Sequence, residues 1–574
     1  MPRIARPLAA MALLATAAPA LAQGILRAEG TRIVDESGKA VILRGMGLGG
    51  WMLQEGYMLQ LGEVGRGQQH VIRGRIAELI GPEKTAVFYR AWLDNDTTEA
   101  DIAAMARAGF NSVRLPMHHD LLMTQTGAWD EGGFKRIDDL LAWCAKYRLY
   151  LILDLHAAAG GQGTDLPIAD RDPATPSLWD SAENRRRTVA LWAKLAARYK
   201  DEPWIGGYDL LNEPNWDFEG EGGGHGCKDQ RNAPLRDLLG EITAAVRAVD
   251  KRHMIIIEGN CWGNNYAGMM PPWDDNMVLS FHKYWNRNDR ESIAGILALR
   301  DRHDVPIWLG ESGENSNVWF RDAIALVERE GIGWAFWPWK KIGFNQPAQV
   351  VPGPGWAALV AYWTGKGPRP DPAAAEATLM RLARQDVRFE NNVLHRDVLD
   401  AMLRQPHDPA PRSFVRHAVG RPIRAVDYDL GPAGVAYRDR VDANYHVATG
   451  GQRAEWNPGR TYRNDGVDIR REPDGRPVVT TFEGGEWLRY TLPIPRAGAY
   501  AVEVSYAAPK GATLALQAGE GAAIERRATA GAGWRTMRFA PVALSAGDRA
   551  IRLDAVRCEG CEIASLKVLS VSGE

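Results

Sequence analysis

Eight short apolar runs, separated by segments of helical length, dominate the first 337 residues of this chain. Several runs, such as 149–155, are continuously apolar, which is typical of strands buried on both faces of a parallel sheet. The predicted strands are 41–45, 112–116, 150–155, 205–211, 254–258, 278–281, 306–310 and 333–337. The predicted helices are 98–108, 134–147, 183–199, 233–249, 291–301 and 318–330. This alternation favours a closed (β/α)8 TIM barrel. An open doubly wound sheet is the alternative, but no G-x-G-x-x-G follows an early strand.

Polar side chains stand where the predicted strands end, which is the face of a barrel that carries active sites. They are Arg114, His156, Asn212, Glu213, Glu258, His282, Tyr284, Glu311 and Trp337. Two of them are glutamates that directly follow apolar runs, Glu213 in Asn-Glu-Pro and Glu311 in Gly-Glu-Ser. Two carboxylates on different strands are what cleavage of a glycosidic bond requires. The alternative is that each is a solvated strand end.

Composition excludes one class of partner and favours another. The chain has 574 residues, more than one ordinary domain needs, and a formal net charge of -2. It has no basic stripe for nucleic acid. The 21 tryptophans fit carbohydrate binding, because indole offers a flat apolar surface to a sugar ring, although most are expected in the core. Three of them, Trp262, Trp273 and Trp285, fall in loops after predicted strands.

The first 22 residues resemble a secretory signal, with two arginines, an apolar stretch and Ala-Leu-Ala before Gln23. The apolar stretch is too short to span a bilayer, and no later segment qualifies. We therefore expect a secreted or periplasmic monomer. In an exported chain Cys227 and Cys261 can meet, and Cys558 and Cys561 form a local disulfide or remain two thiols. Cys144 is expected in the core.

The composition changes near Gln405, where 406–419 has the character of a linker. Beyond it, period-two apolar runs with glycine-rich turns predict an antiparallel, jelly-roll-like β-sandwich over 420–574. The barrel domain is placed at 23–405, and a helix at 394–403 is expected to close it. We expect the sandwich to be a separate folding unit that contributes to targeting and not to chemistry. The alternative is that it is a structural partner of the barrel.

The first 400 residues resemble glycoside hydrolase family 5, in particular its cellulases and exo-β-glucanases. The stretches that carry the resemblance are 43–51, 113–116, 154–156, 211–214, 282–284, 310–312 and 334–337. The resemblance implies that Glu213 is the acid/base and Glu311 the nucleophile of a retaining mechanism. It implies that the substrate is bound by Arg114, His156, Asn212, His282, Tyr284 and Trp337. Trp339 competes with Trp337 as the floor beneath the reacting sugar.

Three further glutamates are candidates for roles outside the catalytic pair. The family pattern favours neither Glu258 nor Glu314 as catalytic, and Glu55 is a candidate ligand of a distal sugar. The C-terminal part resembles carbohydrate-binding module family 6 over 462–468, 485–490, 497–500 and 533–534. This second resemblance implies that Tyr462 and Trp534 contact sugar.

The predicted function is that of a secreted retaining β-glycosidase acting on a β-glucan or a related polysaccharide or oligosaccharide. The chemistry needs no cofactor and no metal. One alternative keeps the enzyme class but changes the substrate to a β-mannan or a glycolipid. Another is a carbohydrate-binding protein without catalysis.

Overall fold

The computed structural model describes residues 24–571, apart from 221–222, 442, 444–456, 458, 520 and the side chain of Ala532. The predicted signal peptide lies outside the described residues. Within the described part of the chain, none of the helices combines the length and the apolar character needed to cross a bilayer.

Eight parallel strands close into a barrel, which confirms the predicted fold class. A hairpin of β1 (Arg27–Glu29) and β2 (Arg32–Val34) precedes it. The barrel strands are β3 (Arg44–Gly47), β4 (Ser112–His118), β5 (Tyr150–Ala157), β6 (Ile205–Asp209), β7 (Ile255–Glu258), β8 (Met277–Lys283), β9 (Ile307–Gly313) and β10 (Gly333–Trp337). All eight lie within three residues of their predicted bounds. The barrel closes where β10 pairs with β3.

Burial on both faces explains why the strands are continuously apolar. Every residue of β5 is buried, and its side chains alternate between two cores. Tyr150 and Ile152 point into the barrel and pack with Trp308, whereas Leu151 and Leu153 pack against the surrounding helices. An alternating pattern would place polar groups in one of these cores, where they cost free energy.

The helices surround the barrel and extend beyond the predicted set. They are α1 (Gln69–Ile80), α2 (Pro82–Asn95), α3 (Glu99–Ala108), α4 (Glu131–Tyr147), α5 (Ala182–Tyr199), α6 (Ala233–Arg247), α7 (Asn260–Gly263), α8 (Ala294–His303), α9 (Asn317–Arg329), α10 (Trp356–Trp363), α11 (Pro372–Arg381) and α12 (Arg396–Leu403). The unpredicted helices α1, α2, α10 and α11 share a second apolar core beside the barrel. The expected closing helix is α12, whose Val398 and Met402 pack into the barrel core.

A small sheet and a two-sheet domain complete the chain. The small sheet contains β11 (Lys340–Ile342), β12 (Ala348–Val350) and β13 (Val393–Leu394). The C-terminal strands are β14 (Pro422–Arg424), β15 (Tyr437–Arg438), β16 (Ile469–Arg471), β17 (Pro477–Phe482), β18 (Trp487–Ile494), β19 (Gly498–Ala508), β20 (Ala512–Ala518), β21 (Ile524–Ala528), β22 (Gly531–Arg538), β23 (Val542–Leu544), β24 (Gly547–Cys558) and β25 (Cys561–Ser570). They form two antiparallel sheets around one apolar core, as expected of a β-sandwich.

The segment between the two domains is held by hydrogen bonds to both. Arg396 Nη1 donates to the Phe414 carbonyl at 2.6 Å on the barrel side. On the sandwich side, Ser413 Oγ donates to the Thr491 carbonyl at 2.6 Å, and Arg412 pairs with Leu430. The predicted linker therefore lies along the protein surface and is not a free tether.

Cysteine pairing follows the alternatives left open by the sequence. Cys227 and Cys261 form a disulfide that joins the loops after β6 and β7. Cys558 and Cys561 form a second disulfide across the β24–β25 turn. Cys144 is a buried thiol in α4.

Candidate active site

A cavity opens at the carboxyl ends of the barrel strands, where the predicted site residues converge. Its volume is about 500 Å³, within the usual range for small-molecule sites. It is lined by Glu55, Tyr57, His156, Asp165, Ile168, Glu213, Trp262, Asn264, His282, Tyr284, Trp285, Asn286, Glu311, Glu314 and Trp337. Five strand ends contribute side chains to this set, as the barrel topology requires.

Arg114 lies beneath the cavity with no exposed surface. Its guanidinium donates to Glu311 Oε2 at 2.9 Å, to Asn212 Oδ1 at 2.8 Å and to Glu258 Oε1 at 3.0 Å. Its Nε donates to Asp209 Oδ2 at 2.9 Å. The sequence predicted Arg114 as a substrate-binding residue. Because its side chain is fully buried, it instead holds Glu311 and Asn212 by hydrogen bonds.

Glu311 is held by two donors at the end of β9. Tyr284 Oη donates to Glu311 Oε1 at 2.7 Å, and Arg114 occupies the other oxygen. The side chain is nearly buried, so water does not compete strongly for these contacts. A positive charge and a phenol hydrogen bond stabilise a carboxylate anion, which is the form that attacks carbon.

Glu213 occupies a different environment on the opposite side of the cavity. Burial raises the pKa of this carboxyl, although His282, whose Nδ1 lies 2.7 Å from Glu213 Oε1, opposes the effect. A raised pKa keeps the proton on this carboxyl to higher pH than on a free glutamate, which favours the role of a general acid. One carboxylate oxygen of Glu213 and one of Glu311 lie within 4.8 Å of each other.

Glu258 holds both the backbone of Glu213 and the ring of His282. Glu213 has a φ of 42°, a left-handed conformation that costs free energy for a residue with a side chain. Its N–H donates to Glu258 Oε2 at 2.7 Å. The other oxygen lies 3.1 Å from His282 Nε2. Although burial opposes it, Glu258 and Glu311 raise the pKa of His282 well above its ordinary value. The sequence placed Glu258 at a strand end but could not show these contacts.

Glu258→Gln is expected to lower kcat by about tenfold to a hundredfold, which corresponds to loss of a charged hydrogen bond. The loss should grow as the leaving group becomes poorer, because Glu258 acts through Glu213, the predicted general acid. Steady-state kinetics on aryl glycosides of graded leaving-group pKa measure this. Asp209→Asn is the matched control, since it removes another carboxylate from Arg114 but leaves Glu213 and His282 untouched. If kcat depended equally on the leaving-group pKa in Glu258→Gln and Asp209→Asn, the proposed role of Glu258 would be contradicted.

His156 and Trp337 form a stacked pair on the cavity wall. Their ring centroids lie 5.1 Å apart with planes inclined by 4°. His156 Nδ1 lies 2.7 Å from Asp154 Oδ2, and its Nε2 lies 3.2 Å from Asn212 Nδ2. Asn212 itself has no exposed surface. Burial lowers the pKa of His156, but Asp154 and the nearby carboxylates overcome this and raise it to about 10.

The structure separates Trp337 from its competitor Trp339. Trp337 lines the cavity and donates its Nε1–H to Tyr57 Oη at 2.8 Å. Trp339 donates to Asp101 Oδ1 at 3.0 Å and stacks on Phe389 outside the cavity. Trp337 is therefore the tryptophan available to a sugar ring.

Loop residues supply the rest of the cavity wall. Burial raises the pKa of Glu55 to about 7. A third carboxyl, which gains or loses its charge near neutral pH, therefore lines the cavity with Glu213 and Glu311. Trp262 and Trp285 line the cavity, whereas Trp273 donates to Thr243 Oγ1 elsewhere. Tyr57, Asp165 and Asn264 were not predicted, because no strand end marks them in the sequence.

Glu213, His282 and Glu311 also present three donor atoms within 4.8 Å, a spacing that could admit a cation. Both oxygens of Glu311 already accept hydrogen bonds, and His282 already faces two carboxylates. The chemistry of paired carboxylates does not need an ion.

The two aromatic residues predicted to bind sugar in the sandwich lie apart. Tyr462 contacts Asp427 and Arg424 through its hydroxyl, and the Arg424 guanidinium lies over its ring, 4.9 Å from the centroid. Trp534 is exposed on β22, at the far edge of the sheet from β16. Sugar binding by this pair stays a prediction. Because Arg424 covers the ring of Tyr462, Trp534 is favoured as the residue that contacts sugar.

Comparison with known proteins supports the reading of the barrel. The family model described as Cellulase (glycosyl hydrolase family 5) matches residues 73–343, which include both glutamates. A protein named beta-xylosidase from Phanerodontia chrysosporium is 29% identical over 364 residues, covering 57% of this chain and 72% of that protein. Endoglucanase C from Acetivibrio thermocellus is 25% identical over 323 residues, covering 45% and 88%.

Among solved structures, one named endogalactoceramidase covers 92% of this chain and 99% of its own, with 17% identity and a TM-score of 0.43. A TM-score this low supports no conclusion about activity. The family-model match and the paired glutamates at the strand ends carry the assignment. Residues 73–343 of the barrel are similar to the glycosyl hydrolase family 5 model, and the protein is a glycoside hydrolase.

Proposed function

We propose that the chain is a retaining β-glycosidase that hydrolyses O-glycosidic bonds of β-linked glucans. The observation that carries the proposal is the spacing of Glu213 and Glu311, whose carboxylate oxygens approach within 4.8 Å. Retaining enzymes place their carboxyl groups about 5–5.5 Å apart, whereas inverting enzymes leave room for a water molecule between them. Burial raises the pKa of Glu213, whereas Glu311 accepts hydrogen bonds from Arg114 and Tyr284, and this contrast supports the same division of roles.

The reaction then proceeds in two displacements. Glu213 donates its proton to the glycosidic oxygen while a Glu311 oxygen attacks the anomeric carbon, so the leaving group departs as an alcohol. The glycosyl–Glu311 ester that results is attacked by water. Glu213, now a carboxylate, takes the proton of that water and returns to its starting state. Tyr284 and Arg114 keep Glu311 in place through both steps.

Several features support a β-glucan as substrate. Trp337 offers a flat surface, and Glu55, Asp165 and Glu314 offer acceptors for sugar hydroxyls around it. Relatives carry names that include endoglucanase and glucan β-glucosidase. A β-xyloside is the second candidate, because the relative named beta-xylosidase matches a larger part of this chain than endoglucanase C does. β-Mannans and glycolipids stay alternatives within the same chemistry.

We further propose that the protein is exported, to the periplasm or the medium, and acts as a monomer. The signal-like first 22 residues and the two disulfides support an oxidising compartment.

Hydrolysis of a β-glucoside is expected to release the β-anomer first. ¹H NMR of the early products distinguishes this from inversion, and release of sugar from glucans, xylans, mannans and glycolipids ranks the substrates. Initial release of the α-anomer would overturn the retaining mechanism. Exclusive cleavage of mannan or xyloside would replace the substrate but leave the mechanism standing.

A further inference from the structure

The loop that follows the Glu311 strand is held by the second domain. β9 ends at Gly313, and Glu314, Asn315 and Ser316 lead into α9. Asn315 and Ser316 have no exposed surface, and Glu314 has a φ of 54°, which a non-glycine residue adopts only when its surroundings impose it.

Asn464 of the sandwich bonds to the backbone on both sides of this loop. Its Nδ2 donates to the Asn315 carbonyl at 2.8 Å. The backbone carbonyl of Asn464 accepts from the Asn317 N–H at 2.9 Å. Nearby, Ser316 Oγ donates to the Ala443 carbonyl at 2.9 Å. The Asn464 side chain therefore satisfies one buried backbone group of the barrel, and its backbone carbonyl satisfies a second.

Two aspartates extend these contacts into a buried polar network. Asp397 Oδ2, on α12, accepts from the Asn464 N–H and from Asn317 Nδ2, both at 2.7 Å. Asp465 Oδ1 accepts from Asn317 Nδ2 at 3.0 Å, and its other oxygen accepts from Tyr428 in the sandwich core. All of these polar groups are nearly or fully buried, and the bonds of Asp397 to Asn464 and of Asp465 to Asn317 cross between the two domains.

The same loop carries Glu314 into the cavity. Glu314 lines the wall beside Glu311, and its Oε1 accepts from Lys341 Nζ at 2.5 Å. Lys341 lies over the ring of Tyr57, 5.4 Å from the centroid, and Tyr57 bonds to Trp337. A shift of the loop would therefore move a carboxylate that faces the sugar-binding surface.

We propose that the β-sandwich completes the sugar-binding cavity, with Asn464 positioning Glu314 through residues 314–317 so that its carboxylate binds hydroxyls of the substrate. The proposal rests on the proposed function, since it assigns Glu314 to the substrate of the same site. It does not depend on whether the sandwich binds glycan by itself. Asn464 is a positioning residue, because it acts through the loop.

A double-mutant cycle in the full-length chain tests the proposal. Asn464→Ser keeps the backbone contacts but removes the bond to the Asn315 carbonyl, and Glu314→Gln removes the charge that the loop presents. Each is expected to raise KM about tenfold with less than a threefold change in kcat. The double variant should be no worse than the more affected single variant, because both changes remove one interaction. Gln517→Ala, which loses a bond within its own hairpin, is the matched control and should leave KM unchanged.

Additive effects of the two changes, or an unchanged KM in Asn464→Ser, would overturn the proposal. Hydrogen exchange provides a readout that needs no substrate. Amides of 314–317 should exchange faster in Asn464→Ser, while those of β5 and β8 keep their protection. If the wild type hydrolyses no glycoside, the proposed function fails. Hydrogen exchange then still decides whether Asn464 holds the loop, and unchanged exchange there would contradict the positioning role.

Discussion

Glu311→Ala is expected to lower kcat/KM by at least about 10⁴-fold on every glycoside that the protein hydrolyses, as removal of a nucleophile does elsewhere. Without this carboxylate no glycosyl–enzyme ester forms, so good and poor leaving groups suffer alike. Steady-state hydrolysis of aryl and natural glycosides measures the loss. Glu291→Ala, at a side chain that is 84% exposed, serves as the control and should keep wild-type rates.

Azide gives an independent check on the nucleophile. In Glu311→Ala a small anion can enter the space left by the side chain and attack the anomeric carbon directly, with one inversion. The glycosyl azide should therefore have the α-configuration. Recovery of a product with retained configuration would show that another group forms the covalent intermediate, and Glu311 would lose its assignment.

Glu213→Ala is expected to discriminate between leaving groups. The leaving group of a natural oligosaccharide is a poor one unless its glycosidic oxygen is protonated. Turnover of oligosaccharides should therefore fall about 10²- to 10⁴-fold, the usual contribution of general acid catalysis. Dinitrophenyl glycosides need little protonation and should still form the ester in a burst. Azide should then accelerate breakdown of the ester and give a β-glycosyl azide. Equal loss on both substrate classes would refute the acid/base role.

The pH profile should change in the same variant. Burial raises the pKa of Glu213 above its ordinary value, so its protonated, active form persists to higher pH than in a free glutamate. Activity of the wild type on oligosaccharides should fall on the alkaline side as pH rises through this raised pKa. Alanine cannot titrate, so this alkaline limb should be absent from the residual oligosaccharide turnover of Glu213→Ala. A limb that persists unchanged would assign it to another group.

The sequence pattern was enough to predict the barrel, because the residues of each strand show whether one or both of its faces are buried. A run such as 149–155 is apolar at every position, and only a strand buried on both faces needs that. Glu213 and Glu311 were identifiable for a related reason. A polar residue directly after such a run has no place in a core, and in a barrel all such positions lie on one end. The antiparallel sandwich was predicted from its period-two runs in the same way.

Tertiary structure decided whatever depends on contacts between distant segments. Arg114 and Glu258 have the same kind of sequence signal as a substrate ligand, and only the three-dimensional packing shows that they support Glu311 and Glu213 from below. Trp337 and Trp339 are two residues apart, so a one-dimensional pattern cannot separate the cavity floor from the neighbouring core. Asn464 lies 153 positions from Glu311. No local pattern links them, because the free energy of a buried polar network comes from partners that only folding brings together.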